Sequence, residues 1–244
     1  MTRFGIRVKK RKVARASLRP ENQLYRQGHR VIAGLDEVGR GAWAGPVVAA
    51  AVILPRNPRE VSLGTMFDSK NLSETQREQL RNEIRLCAVS IGIGEGSIEE
   101  INRLGLTKAL HLAYLRALRQ LNPQPEIVLL DGLPIKQFAY KHKAIVDGDQ
   151  KSKCIAAASI VAKQYRDKLM TKFAPVYPQY GFQQHKGYGT EQHQQAILAH
   201  GILPIHRMRY GWLRDWQAGK RPQTQAAKRY FAQLKHTQAE PARP

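Results

Sequence analysis

Short apolar runs alternate with amphipathic stretches along most of the chain. Residues 31–35 are apolar and flanked by turn-formers, which predicts a buried strand. Residues 46–54 (PVVAAAVIL) form a second apolar run, closed by Pro46 and Pro55, whose length and Val/Ile content favour a strand. Residues 89–93 alternate as a strand does, and residues 127–130 and 144–146 are short buried-strand candidates. Helical spacing takes over elsewhere. In 73–87, Ser73 and Gln76 form a capping box ahead of Leu80, Ile84 and Cys87. In 106–121, Leu110, Ala113, Ala117 and Leu121 share a face, with Pro123 just beyond. Residues 151–170 predict a long helix with the stripe Cys154, Ala158, Val161, Tyr165 and Leu169, small enough in part to lie close on a sheet. Thr190 opens a further helix that stops at Gly201. Strands mixed with helices throughout give an α/β layered domain around one sheet.

Composition narrows the class. A chain of 244 residues that is 42 % hydrophobic can bury a real core and is not globally disordered. Two cysteines, Cys87 and Cys154, argue against a disulfide-stapled fold and exclude a Cys-based zinc pattern. No apolar stretch is long enough to span a bilayer, and the basic N-terminus lacks the apolar core of a secretory signal. An Arg-rich organelle-targeting peptide is the minor reading of that end. The formal charge of +21 points to a polyanion, nucleic acid ahead of an anionic membrane surface.

That charge is unevenly spread. Residues 1–30 hold ten Lys/Arg against one acid and residues 217–244 hold six against one. Two-thirds of the excess thus lies at the ends. The expected organisation is a flexible basic arm (1–30), a folded domain (31–216) and a flexible basic tail (217–244), within which AAKRYFAQLKH could form a short amphipathic helix.

The acids group differently. Asp36 and Glu37 follow the first strand candidate, Asp131 ends the one at 127–130, and Asp147 and Asp149 follow the one at 144–146. Sites in α/β sheets form just outside strand ends, so carboxylates far apart in sequence can converge there. Converging carboxylates repel unless a cation neutralises them, and a hard ion such as Mg²⁺ or Mn²⁺ prefers oxygen donors. Two such ions, about 3.5–4 Å apart, can activate water and stabilise the leaving oxygen of a phosphodiester. A basic protein with an acidic knot is the layout expected of a nuclease. Ordinary structural roles compete: Asp149 as a helix N-cap, Asp131-Gly132 as a turn. Asp36-Glu37 has no capping role, because another strand follows. Gly39-Arg40-Gly41-Ala42-Trp43-Ala44 fits the permissive dinucleotide fingerprint, but a strand and not a helix comes next. Asp147-Gly148-Asp149 starts like a calcium loop and fails at Lys151 and Ser152.

With these residues in view, the sequence resembles the ribonuclease HII family, endonucleases of RNase H fold that act on RNA–DNA hybrids. The resemblance spans roughly residues 31–212. It rests on GLDEVGRGAWAGPVVAAAVIL, DSKNLS from Asp68 to Ser73, LLDG, GDQKSKCIAAASIVAKQYRD, YPQYGFQQHKGYGT and His206-Arg207. Gly-Arg-Gly, where type III relatives carry Gly-Lys-Gly, sets it apart from those. The resemblance implies a central mixed β-sheet flanked by helices, with a small C-terminal helical part. It implies that Asp36, Glu37, Asp131 and Asp149 hold two Mn²⁺ or Mg²⁺ ions, choosing Asp149 over Asp147. It implies that Gly39, Arg40, Gly41 and Tyr188 read the ribose 2′-OH, which distinguishes RNA from DNA, and that Lys70 contacts phosphate. His185 is expected to be structural. The implied substrates are RNA–DNA hybrids and DNA duplexes containing ribonucleotides, cut on the 5′ side of the ribonucleotide to leave 5′-phosphate and 3′-hydroxyl. The implied setting is a cytoplasmic monomer, with no membrane, in replication and ribonucleotide excision repair. Two stretches depart from the family pattern: Ile101-Asn102-Arg103-Leu104-Gly105 for I-D-x-L-N, and His206-Arg207-Met208-Arg209-Tyr210 for H-R-x-S-F. They bear on substrate contacts, not on the four acids. The rival expectation is a catalytically inactive nucleic-acid-binding protein on the same fold, which the charge alone would fit but the intact acid set argues against.

Overall fold

The computed structural model describes residues 16–56, 74–220 and 223–237. Helix α1 (Arg19–Arg26) leads into the adjacent strands β1 (Ile32–Val38) and β2 (Val47–Ile53). Helix α2 (Glu74–Cys87), strand β3 (Ser90–Gly96) and helices α3 (Ile98–Leu104) and α4 (Leu106–Arg119) follow, then β4 (Ile127–Asp131) and β5 (His142–Ile145). The rest is helical: α5 (Lys153–Lys172), α6 (Phe182–His185), α7 (Glu191–His200), α8 (Gly211–Gln217) and α9 (Gln225–Thr237).

The strands form one mixed sheet in the order β3-β2-β1-β4-β5. β1 pairs antiparallel with β2 and parallel with β4, and β4 pairs parallel with β5. The C-terminal ends of β1, β4 and β5 therefore lie side by side. β1 alternates across the sheet, as a strand must. Ala33 and Leu35 join Ala113 and Ala117 of α4 in one core layer, while Ile32 packs with Ile155 of α5 on the opposite face.

Two close approaches set these layers. A Cβ on Gly34 would lie 2.1 Å from the Cys154 carbonyl carbon, so the start of α5 rests directly on β1. On the other face, a Cβ on Gly92, Gly94 or Gly96 would lie 2.0, 2.1 or 2.5 Å from the carbonyl oxygens of Ala117, Ala113 and Ala109. Two residues of strand and four of helix both advance about 6–7 Å, so the Gly and Ala series stay in step.

Both ends depart from expectation. Residues 16–30 are not the inner half of a flexible arm: Leu24 is 2 % exposed and Glu21 is fully buried. An eight-residue helix cannot stand alone in water, and this one is held by burying Leu24 beside Ile127, Leu129 and Ile155. Nor is the tail free throughout, since Ala227 of α9 packs with Leu198, Leu213 and Trp216. Residues 1–15 and 238–244, the DSKNLS motif with Lys70, and Ser73 of the expected capping box lie outside the described residues. No helix among the described residues is long and apolar enough to cross a membrane.

Candidate active site

β1 runs farther than its apolar pattern, so Asp36 and Glu37 sit within the strand rather than after it. The two acids consequently lean to opposite faces. Asp36 is 6 % exposed and meets Ser159 of α5; Glu37 accepts a hydrogen bond from the Tyr114 hydroxyl of α4. Leu35 is level with Leu130 across the parallel pair, which brings Asp131 alongside Asp36. β5 ends beside Asp131 and delivers a 3-10 turn, Gly148–Gln150, that carries Asp149. All four acids line one cleft of about 690 Å³, together with Gly39, Arg40, Gly41 and Tyr188.

The two aspartates of the 147–149 turn separate clearly. Asp149 faces the cleft, whereas Asp147 is exposed, in a left-handed conformation (φ 52°). Asp149 is not the cap of α5 either: Ser152 holds that position and accepts from the Ile155 amide at 3.2 Å.

Electrostatically the cleft is acid-loaded. Burial pushes the Asp36 carboxyl well above the usual carboxylate range, and the neighbouring charges of Glu37 and Asp131 push the same way. The Ser159 hydroxyl and the Glu37 amide, which donates to Asp36 Oδ1 at 2.7 Å, offset part of this. Arg40 Nη1 donates to Glu37 Oε1 at 3.0 Å, and the Gly148 amide donates to Asp131 Oδ1 at 2.6 Å. With these oxygens turned toward protein donors, no three acidic, His or Cys side chains among the described residues are drawn into a ready metal cage. The donor set still fits a hard divalent cation. It is all carboxylate, it lines one cleft, and its most buried member carries an electrostatic cost that its protein donors offset only in part.

The Gly39–Gly41 loop is built from behind by two arginines that the sequence pattern assigned no role in the site. Arg166 donates to the carbonyls of Pro46, Ala44 and Lys186, each at 2.9 Å. Arg207 donates to the carbonyls of Gly45 (2.8 Å), Gly39 (2.6 Å) and Arg40 (3.3 Å). Both are fully buried, and burial lowers the pKa of each guanidinium. Arg207 therefore acts on the loop rather than on a substrate, and Tyr210 joins it by donating to the Arg40 carbonyl. The departure at 206–210 keeps this support. The one at 101–105 supports the same segment: the Met208 amide donates to Asn102 Oδ1 at 2.8 Å.

The loop's two glycines differ. Gly39 has φ +88°, and a Cβ there would lie 2.2 Å from Arg166 Nε, whereas a Cβ on Gly41 would meet nothing within 4 Å. The Tyr188 ring has Arg166 Cζ at 5.4 Å and Lys163 Nζ at 5.9 Å from its centre. Lys163 and Asp167, ion-paired at 2.9 Å, and Ser159 also face the cleft from α5. Their i, i+4, i+8 spacing on a helix leaving Asp149 was the signal that could have found them. His185 is satisfied structurally, with Nε2 at 2.6 Å from the Tyr180 carbonyl and Nδ1 accepting from the Gly187 amide.

Known proteins resemble the chain over this whole region. The sequence profile described as Ribonuclease HII matches residues 33–213. A Ribonuclease HII of Synechococcus sp. (strain JA-3-3Ab) is 47 % identical over 209 residues, covering 86 % of this chain and 94 % of that one. The RNase HII in a PCNA:RNase HII complex from Archaeoglobus fulgidus aligns with TM-score 0.62 and 27 % identity, over 74 % of this chain and 95 % of that one. Ribonuclease H2 from Pyrococcus horikoshii OT3 has the same fold, with TM-score 0.64 at 23 % identity, over 83 % of this chain and 99 % of that one. The mixed sheet flanked by helices is thus the RNase H-like architecture.

Proposed function

Because the chain belongs to the ribonuclease HII family, and is thereby a metal-dependent endoribonuclease, we propose that its cleft cuts on the 5′ side of ribonucleotides in DNA. The substrates are RNA–DNA hybrids and DNA duplexes carrying ribonucleotides, and the products end in 5′-phosphate and 3′-hydroxyl. The setting is a cytoplasmic monomer that removes ribonucleotides during replication and repair. One observation carries the reading. Four carboxylates from three parallel strand ends face one cleft, beside a glycine loop and a tyrosine.

Asp36, Glu37, Asp131 and Asp149 would hold two Mg²⁺ or Mn²⁺ ions. Such ions, when bound, polarise the scissile phosphate, lower the pKa of water and stabilise charge on the leaving oxygen. The chain's own residues supply the rest. Gly41, with open space where a Cβ would stand, lets a sugar reach the backbone. Arg40 exposes its guanidinium beside Glu37, where it can meet a phosphate. Tyr188, braced by Arg166 and Lys163, presents a ring and a hydroxyl to the ribose. Arg207 holds the carbonyls of Gly39 and Arg40, and Arg166 those of Ala44 and Pro46 just beyond, so the backbone of the loop is fixed before substrate arrives.

Asp36→Asn should abolish cleavage of a duplex with one embedded ribonucleotide, and chelator should do the same to the wild type. Near-wild-type cutting by the variant would sink the assignment of the acids. Tight, metal-independent binding without products would instead favour a nucleic-acid-binding protein.

A further inference from the structure

Asp149 sits on a three-residue turn, an element with little rigidity of its own. The turn is nevertheless joined to the start of α5, the Ser152 amide donating to the Gly148 carbonyl at 2.8 Å, and the two together are tied down from three sides. The Gly148 amide donates to Asp131 Oδ1 at 2.6 Å. Ser17 brackets the far end, its amide donating to the Lys151 carbonyl at 3.2 Å and its carbonyl accepting from Lys153 at 3.3 Å. The third tie is Glu21. Its Oε1 accepts from the Ser152 hydroxyl at 2.7 Å and from the Cys154 amide at 2.9 Å.

Glu21 is an unusual residue to bury, because a carboxylate removed from water is costly unless it is well compensated. It has no exposed surface, its Oε2 has no hydrogen-bond partner in the structure, and it lies outside the profile match at 33–213. What compensates it is the start of α5, a twenty-residue helix that gives it the Cys154 amide, the Ser152 hydroxyl and the positive end of its dipole. The contact acts on both elements. Ser152 Oγ accepts from the Ile155 amide while donating to Glu21, so the cap of α5 and the carboxylate fix each other. On its other side the start of α5 touches β1 at Gly34, two residues before Asp36.

We propose that Glu21 is a positioning residue: the N-terminal segment clamps the start of α5 against β1, and the clamp sets Asp149 relative to Asp36 and Asp131 for cation binding. The inference rests on the reading of those acids as cation ligands. The segment expected to be a free basic arm thus holds, through its one acid, a member of the active-site set from behind.

The test uses the full-length protein without nucleic acid, below the melting temperature of every variant, with Mn²⁺ binding followed by electron paramagnetic resonance of the free ion. Glu21→Ala should weaken Mn²⁺ binding about ten-fold, the size usual for partners that orient metal ligands. Glu21→Gln, which keeps an acceptor oxygen, should recover most of that. In cleavage assays Glu21→Ala should lower kcat and leave KM for the duplex unchanged, because α1 lies behind the cleft. Leu24→Ala loosens the same helix but leaves the bonds of Glu21 in place, and should lower Tm while costing much less Mn²⁺ affinity than Glu21→Ala. If Glu21→Ala does not fold, Ser152→Ala carries the test, with weaker Mn²⁺ binding expected. A lower Tm with unchanged Mn²⁺ affinity and kcat in Glu21→Ala would overturn the proposal. So would Leu24→Ala weakening Mn²⁺ as much, or unchanged affinity in Ser152→Ala. Wild-type protein that binds Mn²⁺ but leaves the duplex intact would count against the proposed function and leave the clamp measurable.

Discussion

Single residues around the glycine loop divide into those that face inward and those that face the cleft. Gly39 is required by its own fold: it has φ +88° and Arg166 occupies the space of a side chain. Gly39→Ala should therefore cost about 1–3 kcal/mol of stability, read as a lower urea midpoint, together with activity. Gly41→Ala should leave that midpoint unchanged and lower kcat/KM alone, since its missing Cβ faces open space. Equal stability loss in the two would show that the loop is not divided this way. For Tyr188, whose ring is braced by two cations, Tyr188→Phe should retain far more cleavage than Tyr188→Ala. Equal losses would mean that the hydroxyl, not the ring, dominates. The acids were readable in sequence because charged residues at apolar strand ends are conspicuous. Arg166 and Arg207 were not, because an arginine in a basic chain reads as surface charge until its burial is known.

Elements were legible where one period prevailed. The expected helix at 106–121 is α4, and the apolar run at 46–54 is β2. β1 overran its apolar signal because its last residues pair with β2 through Val38 and Val48, and a ladder accepts acids where one end opens to a cleft. Helix α3 was missed although its signal was present. Ser97 and Glu100 form a reciprocal capping box, with bonds of 3.1 and 2.9 Å. The region of α6 and α7 yields a pH prediction. His185 stacks on His193 at 4.4 Å between ring centres, and His193 on His206 at 5.2 Å. Burial foremost pushes His193 down to about 3 and His206 down to about 4. Below the ordinary histidine value of about 6.5 the unfolded chain takes up protons that the folded chain refuses. Stability should thus be full above that value and fall as pH drops toward 4, by up to about 1.4 kcal/mol per pH unit for each histidine. Asp36 works in the opposite sense, its raised carboxyl binding a proton first in the folded state. Urea unfolding between pH 7.5 and 5 should show the loss, and Asp36→Asn should make it steeper. A flat profile would count against neutral buried histidines.

At the scale of the whole molecule, charge and structure separate at the N-terminus. Residues 1–15 carry seven Lys/Arg and no acid, while residues 16–30 include a packed helix. Deleting 1–15 should keep Tm and flatten the dependence of substrate affinity on salt, by about 0.7–0.9 in log–log slope for each phosphate the arm no longer neutralises. Deleting 1–30 should lower Tm as well, because Leu24 and Glu21 go with it. An unchanged salt slope after removal of 1–15 would leave the arm without a role on nucleic acid. Sequence alone determined the α/β class and the family resemblance, and singled out Asp36, Glu37, Asp131 and Asp149 as candidates while passing over Asp167, since periodicity and short motifs are local properties of a chain. The tertiary structure decided what depends on partners distant in sequence. Parallel pairing of β1 with β4, and of β4 with β5, brought Asp36, Asp131 and Asp149 to one cleft across more than a hundred residues. Packing against β4 and α5 made a helix of residues 19–26, which carry too little apolar surface to fold unaided. Burial made two of forty basic residues, Arg166 and Arg207, an internal frame behind the glycine loop, because a guanidinium away from water turns its donors to the carbonyls in reach.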